Sequence, residues 1–358
     1  MKKQFIIMMA GVLMLVGSGQ VMAVTQYTIT DLGILSGTGS WANSINASGQ
    51  VVGYANTAAG EFAYRAFLYS GSTMTDLGTL GGMWSGADGI NNSGQVVGHA
   101  YTTGNVAEHA FLYSGSTMTD LGTFGGTWSG AIGINANGQV VGYSYTTGNA
   151  AEHAFLYSGS TMTDLGTLGG RDSAAHGIND SGQIVGWAAT HDSYHAFLYS
   201  GSTMIDLGAF VYNGDSYAWG INASGQIVGW SNSNYGYRAF LYSGSKMIDL
   251  GTLGGTNSFA NGINDSGQVV GEADIAAGGP HAFLCSGSTM IDLNTLIDPA
   301  SDWTLESATA INDSGQIVGY GYRGGQDHAF LLDPVPEPAT ICLLTLGGIF
   351  IYRRRKTV

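Results

Sequence analysis

Positive charge is scarce in this chain. Only 11 of its 358 residues are Lys or Arg, against 25 Asp or Glu, for a formal net charge of -14. Lys2, Lys3, Arg353, Arg354, Arg355 and Lys356 sit at the two ends, so Arg65, Arg171, Arg238, Lys246 and Arg323 are the basic residues left between them. A nucleic-acid partner needs a cationic footprint, and the scarcity excludes one. Cysteine is nearly absent: Cys285 and Cys342 make no disulfide framework. Charged residues of both signs reach only 10% beside 44% hydrophobic residues, which excludes ordinary disorder. No Gly-x-Ser-x-Gly elbow, His-Glu-x-x-His pair or Walker loop occurs. Asn-Asp-Ser-Gly turns recur at Asn179, Asn264 and Asn312, but they lack the ligand count of a Ca²⁺ site. No metal and no cofactor is expected.

One motif is abundant. Ile-Asn, a turn ending in Gly-Gln, then Val-Gly, Ala-Phe-Leu and Asp-Leu recur in order. The Asp-Leu aspartates are Asp31, Asp76, Asp120, Asp164, Asp206, Asp249 and Asp292, spaced 42 to 45 residues apart. A fixed period of that size signals an array or a propeller. In the copy from Asp76 to Thr119, four stretches have strand character: 87–91, 95–101, 109–113 and 117–121. Asn92-Ser93-Gly94 joins the first two, and Ser114-Gly115-Ser116 joins the last two, with Gly-Ser suited to a type II′ turn. Four short antiparallel strands are the size of a propeller blade.

Strand alternation puts His109 and Asp120 on one face as opposite or diagonal neighbours. The spacing of eleven recurs for Arg65 with Asp76, His153 with Asp164, His195 with Asp206, Arg238 with Asp249 and His281 with Asp292. These are expected to be structural cross-strand pairs, not repeated active sites. The last copy ends at His328-Ala329-Phe330 without a fourth strand, and the spare strand is Tyr27 to Leu32 at the other end. His328 should then pair with Asp31. An all-β, seven-bladed propeller of four-stranded antiparallel blades follows, closed by its N-terminal strand over residues 24–333, with a β-solenoid as the alternative.

The ends read as addresses. Residues 1–23 have a Lys2-Lys3 start, an apolar run from Phe5 to Val16 and small residues before a cut after Ala23, the pattern of a secretory signal peptide. Residues 334–358 hold Pro336-Glu337-Pro338, an apolar run from Ile341 to Tyr352 and a basic end. The apolar run is shorter than the ~20 residues of an ordinary spanning helix. The tail resembles the PEP-CTERM sorting signal of Gram-negative bacteria. That resemblance implies export across the inner membrane, transient anchoring there, exosortase processing, release to the cell surface or beyond, and an association with biofilm exopolysaccharide. The His-Ala-Phe triplets at 109–111, 153–155, 195–197, 281–283 and 328–330, with the Asp-Leu-Gly-Thr-Leu-Gly-Gly stretches, resemble the HAF-repeat family of extracellular proteins. Arg65 and Arg238 depart from it. The family implies no catalytic residues.

The copies differ most in the loops between strands two and three and between blades, where binding usually sits. Trp41, Trp84, Trp128, Arg171, Asp172, Tyr212 and Asp215 are the candidate ligand-binding residues there. Exposed aromatic rings beside Asp and Asn suit sugars. The expectation is a non-enzymatic surface propeller binding exopolysaccharide or surface glycans, or acting structurally in the biofilm matrix. The alternative is a polysaccharide hydrolase or lyase, with Asp172 and Asp215 as a carboxylate pair.

Overall fold

The computed structural model describes residues 26–57 and 63–336. The expected cut after Ala23 lies outside these residues, as do Glu337 and Pro338 of the sorting motif. Within them the chain is all-β, with short 3₁₀ turns such as Thr103–Asn105. Each repeat forms an antiparallel up-and-down run, for example Ser40–Ile45, Val51–Asn56, Tyr64–Ser70 and Thr73–Asp76. First strands stand side by side around the axis, and fourth strands lie at the rim.

The expected seven-bladed arrangement of separate blades is corrected. Five four-stranded blades stand as separate sheets, and the ring is completed by one eight-stranded sheet running from Gly81–Ile90 to Thr161–Asp164. The residue before the buried serine differs among repeats. Where it is Asp172, Asp215 or Asn257, its side-chain oxygen accepts the backbone N–H of Glu152, Tyr194 or Tyr237 in the preceding repeat, at 3.0, 3.0 and 3.1 Å. Trp84 and Trp128 both lack such an oxygen, and only the Trp128 backbone pairs in parallel with the preceding repeat, at Glu108. That bridge merges two repeats.

The serines themselves staple neighbours. Ser85 Oγ accepts from Ala66 N at 2.9 Å and donates to Gly78 O at 2.6 Å, and Ser129, Ser173, Ser216 and Ser258 repeat the pattern. These hydroxyls are fully buried, so satisfying them matters. The apolar core lies between sheets. Phe111 is buried with Val96 and Ala100 of its own repeat against Val52 and Ala66 of the one before. Burying one such ring contributes roughly 1.5–3 kcal/mol.

The N-terminal strand closes the ring. Tyr27–Asp31 pairs antiparallel with Gln326–Pro334, in the register Tyr27↔Pro334 to Asp31↔Phe330. The opposite rim of the axis carries a second closure. The Asn46 side chain donates to Asn91 O, and the pattern continues through Asn135, Asn179, Asn222, Asn264 and Asn312 back to Asn46 O, at 3.1–3.2 Å. Each asparagine oxygen also accepts from its own turn, as Asn91 does from Ser93 N and Gln95 N. The conserved-looking turn residue is thus a ring fastener.

Most charged pairs form across the outer strands. Nδ1 of His109, His153, His195 and His281 lies 2.6–2.9 Å from Asp120, Asp164, Asp206 and Asp292, and His328 lies 3.0 Å from Asp31. Asp120 sits directly opposite Phe111, so His109 reaches it diagonally. Each such aspartate also caps its own backbone, as Asp120 Oδ1 does with Gly122 N. Arg65 approaches Asp76 at 3.8 Å, while Arg238 and Asp249 form no ion pair among the described residues. The expected type II′ turn is corrected as well. Gly115 and Ser116 have φ of +56° and +73°, and positive φ at both central residues belongs to type I′.

Candidate functional site

Each first strand carries the pattern Ala-x-small-Ile before its asparagine, and a β-bulge falls at x. In the first such strand, Ala42 pairs with Gly53 and Ser44 with Val52, which leaves Asn43 without a partner. An extra residue in a bulge has its side chain re-aimed. Here the re-aimed side chains are Asn43, Asp88, Ile132, His176, Trp219, Asn261 and Thr309, and all of them line a cavity of about 680 Å³ on the axis. Tyr54, Trp230, Glu272 and Tyr320 from second strands, with Phe259 and Ser307, complete its wall.

Some of these side chains hold the ring. Asn43 donates to Ala87 O at 2.9 Å, Asn261 to Ala308 O at 3.0 Å, and Thr309 to Ala42 O at 2.8 Å. His176 Nδ1 makes the equivalent contact to Ala218 O at 2.9 Å. Trp219 makes no such bond. Its ring lies flat on His176, centroids 4.0 Å apart and 7° between planes, and it remains 38% exposed. The scaffold accepts amide, carboxylate, imidazole, hydroxyl or alkyl groups at x, so packing does not demand an indole there.

Burial pushes the His176 imidazole down to about 4, against the hydrogen bond to Ala218 O. The folded protein therefore keeps this ring neutral while the unfolded chain protonates it below the ordinary value near 6.5. The unfolded state binds the extra proton between those values, so stability falls as pH drops through this window. His176→Asn keeps a donor like that of Asn43 and removes the titration. Urea unfolding should show the variant losing less stability from neutral pH to pH 4, by on the order of 3 kcal/mol. Parallel losses in both proteins would refute this.

The wall has two kinds of group. Rings run without a break from Tyr194 and Trp187 through Tyr217 and Trp230 to Tyr237 and Phe259, with successive centroids 4.4–5.7 Å apart. Tyr217 is pushed up to about 12 by burial and by nearby Asp215, so it stays a neutral hydroxyl. Carboxylates stand in the wall as well, Glu272 as the cross-strand partner of Phe259 and Asp88 on another repeat. Asp88 accepts from His99 Nδ1 at 2.8 Å, which, with its attraction, raises the His99 imidazole despite burial. Burial raises Glu108, against the attraction of His99, and Asp88 adds to the rise. Burial likewise raises Glu272, which a Ser307 hydrogen bond partly offsets while Asp274 and Glu306 add to it.

None of the residues expected from sequence to bind ligand lines this cavity. Trp41 stacks on Tyr54 at 5.2 Å, Trp84 on His99 at 4.5 Å, and Trp128 meets Tyr145 edge-on at 5.4 Å. Trp41 thus stands behind a lining residue, Tyr54, while His99 and Tyr145 do not line the cavity. Asp172 and Asp215 are committed to backbone amides of the preceding repeat, as described above. Arg171 donates to Ala150 O at 2.7 Å, and Tyr212 is 94% exposed on a loop. The cavity residues carried a signal nonetheless: x varies in chemistry inside the otherwise repeated Ala-x-small-Ile segment.

Residues 334–356 match the PEP-CTERM protein-sorting motif, a substrate signal for exosortase, and this tail marks an exported surface protein. The HAF-repeat family is not shown. Among the described residues no helix is long and apolar enough to cross a membrane, and the apolar run of the tail lies outside them. No curated protein matches the sequence. Among solved structures, YCF48 bound to D1 peptide is similar at TM-score 0.50 and 11% identity, over 88% of this chain and 97% of that one. TolB from Acinetobacter baumannii aligns at TM-score 0.44 and 11% identity, over 80% of each chain. A mutant of AofleA from Arthrobotrys oligospora aligns at TM-score 0.34 and 11% identity, over 77% of this chain and 92% of that one. Identity this low speaks to fold alone, so the comparisons describe an exported chain with a sorting tail and a β-propeller body.

Proposed function

We propose that this protein is a non-enzymatic binding component of the cell-surface polysaccharide matrix, and that it holds a sugar chain at the axial cavity. One observation carries the reading: Trp219 presents an open indole face at a bulge position where the scaffold needs no aromatic residue. A concave site with aromatic walls and a few convergent polar groups suits a small ring with polar edges. Sugar C–H groups meet the negative face of an indole, and hydroxyls meet Asn, Asp and Tyr side chains. The ring belt from Tyr194 to Phe259 extends this platform toward the variable loops.

Trp219→Ala should weaken binding to the native exopolysaccharide by about 2 kcal/mol, or roughly thirtyfold in Kd. Affinity electrophoresis with the purified polysaccharide reads this, and a thermal scan shows whether the variant stays folded. Unchanged retardation of a folded variant would sink the assignment. Release of reducing ends from the polysaccharide would instead overturn the non-enzymatic part.

A further inference from the structure

The axial cavity is unbalanced in charge. Asp88 and Glu272 line it, and no lysine or arginine does. Glu108, Glu306 and Asp327 lie close enough to these groups to act on them or on the tyrosines beside them. The arginines of the neighbouring loops are engaged elsewhere. Arg323 is held by Asp31 and Asp302 at 2.7 and 3.0 Å, Arg65 donates to Met83 O at 2.8 Å, and Arg171 donates to Ala150 O. His99 serves Asp88, His281 is bound to Asp292 at 2.6 Å, and His176 is buried against Ala218 O. Tyr54 and Tyr320 add hydroxyls to this side but no positive charge. Asp88 is thus matched by His99, whereas Glu272 has no ion-pair partner among the described residues.

Such a wall repels an anionic sugar, and a neutral one leaves Glu272 without a countercharge. A cation satisfies both kinds of group at once, by ion pairing with the carboxylates and by attraction to the ring faces. We infer that the cavity takes a saccharide bearing free amines, a chain of de-N-acetylated amino sugars, with sugar faces on Trp219 and ammonium groups toward Asp88 and Glu272. The inference rests on the glycan reading above and narrows it to a charge class. Burial raises Glu108, Glu272 and Glu306 toward protonation, and an ammonium group in the cavity would reverse that drift.

Calorimetric titration of the whole protein with a glucosamine hexamer and with its fully N-acetylated counterpart, at slightly acidic pH and low salt, tests it. The amine-bearing oligomer should bind at least about tenfold more tightly, and the gap should narrow as salt rises. Glu272→Gln should narrow the gap, while Trp219→Ala should weaken both ligands. Equal affinities, or a preference for the acetylated oligomer, would overturn the inference and leave the glycan reading standing. Binding of the amine oligomer that survives Trp219→Ala would mark diffuse attraction to an acidic protein and overturn the site. Failure of both oligomers to bind the folded protein would overturn the inference, and failure of the native exopolysaccharide as well would remove the glycan reading.

Discussion

Deleting residues 26–32 is expected to abolish the cooperative fold at temperatures where the intact protein is stable. The segment is short, but it supplies the outermost strand of the sheet that joins the chain's two ends. Tyr27 and Leu32 are buried at 5% and 3% exposure, in two different core clusters. Asp31 holds His328 and Arg323 together, at 3.0 and 2.7 Å. Burial works against its ionisation, yet hydrogen bonds from His328 and Gly33 hold its carboxyl below the usual range. Loss of two buried side chains and a full strand ladder should cost on the order of 5 kcal/mol or more. That is comparable to the whole stability of many domains, about 5–15 kcal/mol. It also uncovers the edge of Gln326–Pro334, a template for aggregation. Differential scanning calorimetry should show the main transition lost or sharply lowered. A synthetic peptide spanning residues 24–36 should restore part of it by strand addition. A deletion variant that melts like the intact protein would refute the closure as a stabilising device.

Gly98→Ala is expected to be severely damaging for a single added methyl, as are the equivalent changes at Gly53, Gly142, Gly229 and Gly271. A Cβ at Gly98 would lie 2.0 Å from Gly86 O and 2.9 Å from Ala87 Cα and Gly86 C. All three atoms are backbone of the first strand, so no flexible side chain can move aside. The glycine is what lets the first strand bulge toward it, and the bulge is what aims Asp88 at the axis. Val97 and Ala100 beside it are fully buried, leaving no outward shift. Overpacking of this kind should cost about 3 kcal/mol or more. Gly115→Ala is the control. Gly115 has a positive φ, +56°, which Gly98 does not, but its added Cβ meets nothing within 4 Å. Its cost should stay near the ~1–2 kcal/mol of a left-handed alanine. Urea denaturation of the two variants would separate them, and similar midpoints would refute the clash.

Much of this was legible in the repeat. Strand periodicity, the Gly-Ser turns and the spare strand at Tyr27 follow from pattern alone, because side-chain alternation and turn chemistry are local. The diagonal His-Asp contacts follow from a two-residue turn. What the pattern hid were decisions taken between repeats. Two sheets merge at Trp128 and not at Trp84, although both tryptophans precede the buried serine of their strand. Whether Arg238 meets Asp249 depends on a long side chain with other directions available, and it does not meet it. The site was hidden for a related reason. Variation was sought in loops, whereas a bulge turned one residue of a regular strand toward the axis. Trp219 and Asp88 sit in segments that otherwise read as scaffold.

The closing strand also gives the molecule an orientation. Tyr27 and Pro334 are partners, Val335 N donates to Gln26 O at 2.8 Å, and Gln316 of the last asparagine turn donates to Asp333 at 2.6 Å. Both ends of the propeller body therefore leave from the asparagine-ring face, and a sorting tail that begins at residue 334 begins there. A chain tethered by that tail stands with its uniform side toward the envelope. The loops between second and third strands lie at the other end of the strands, away from where that tail begins.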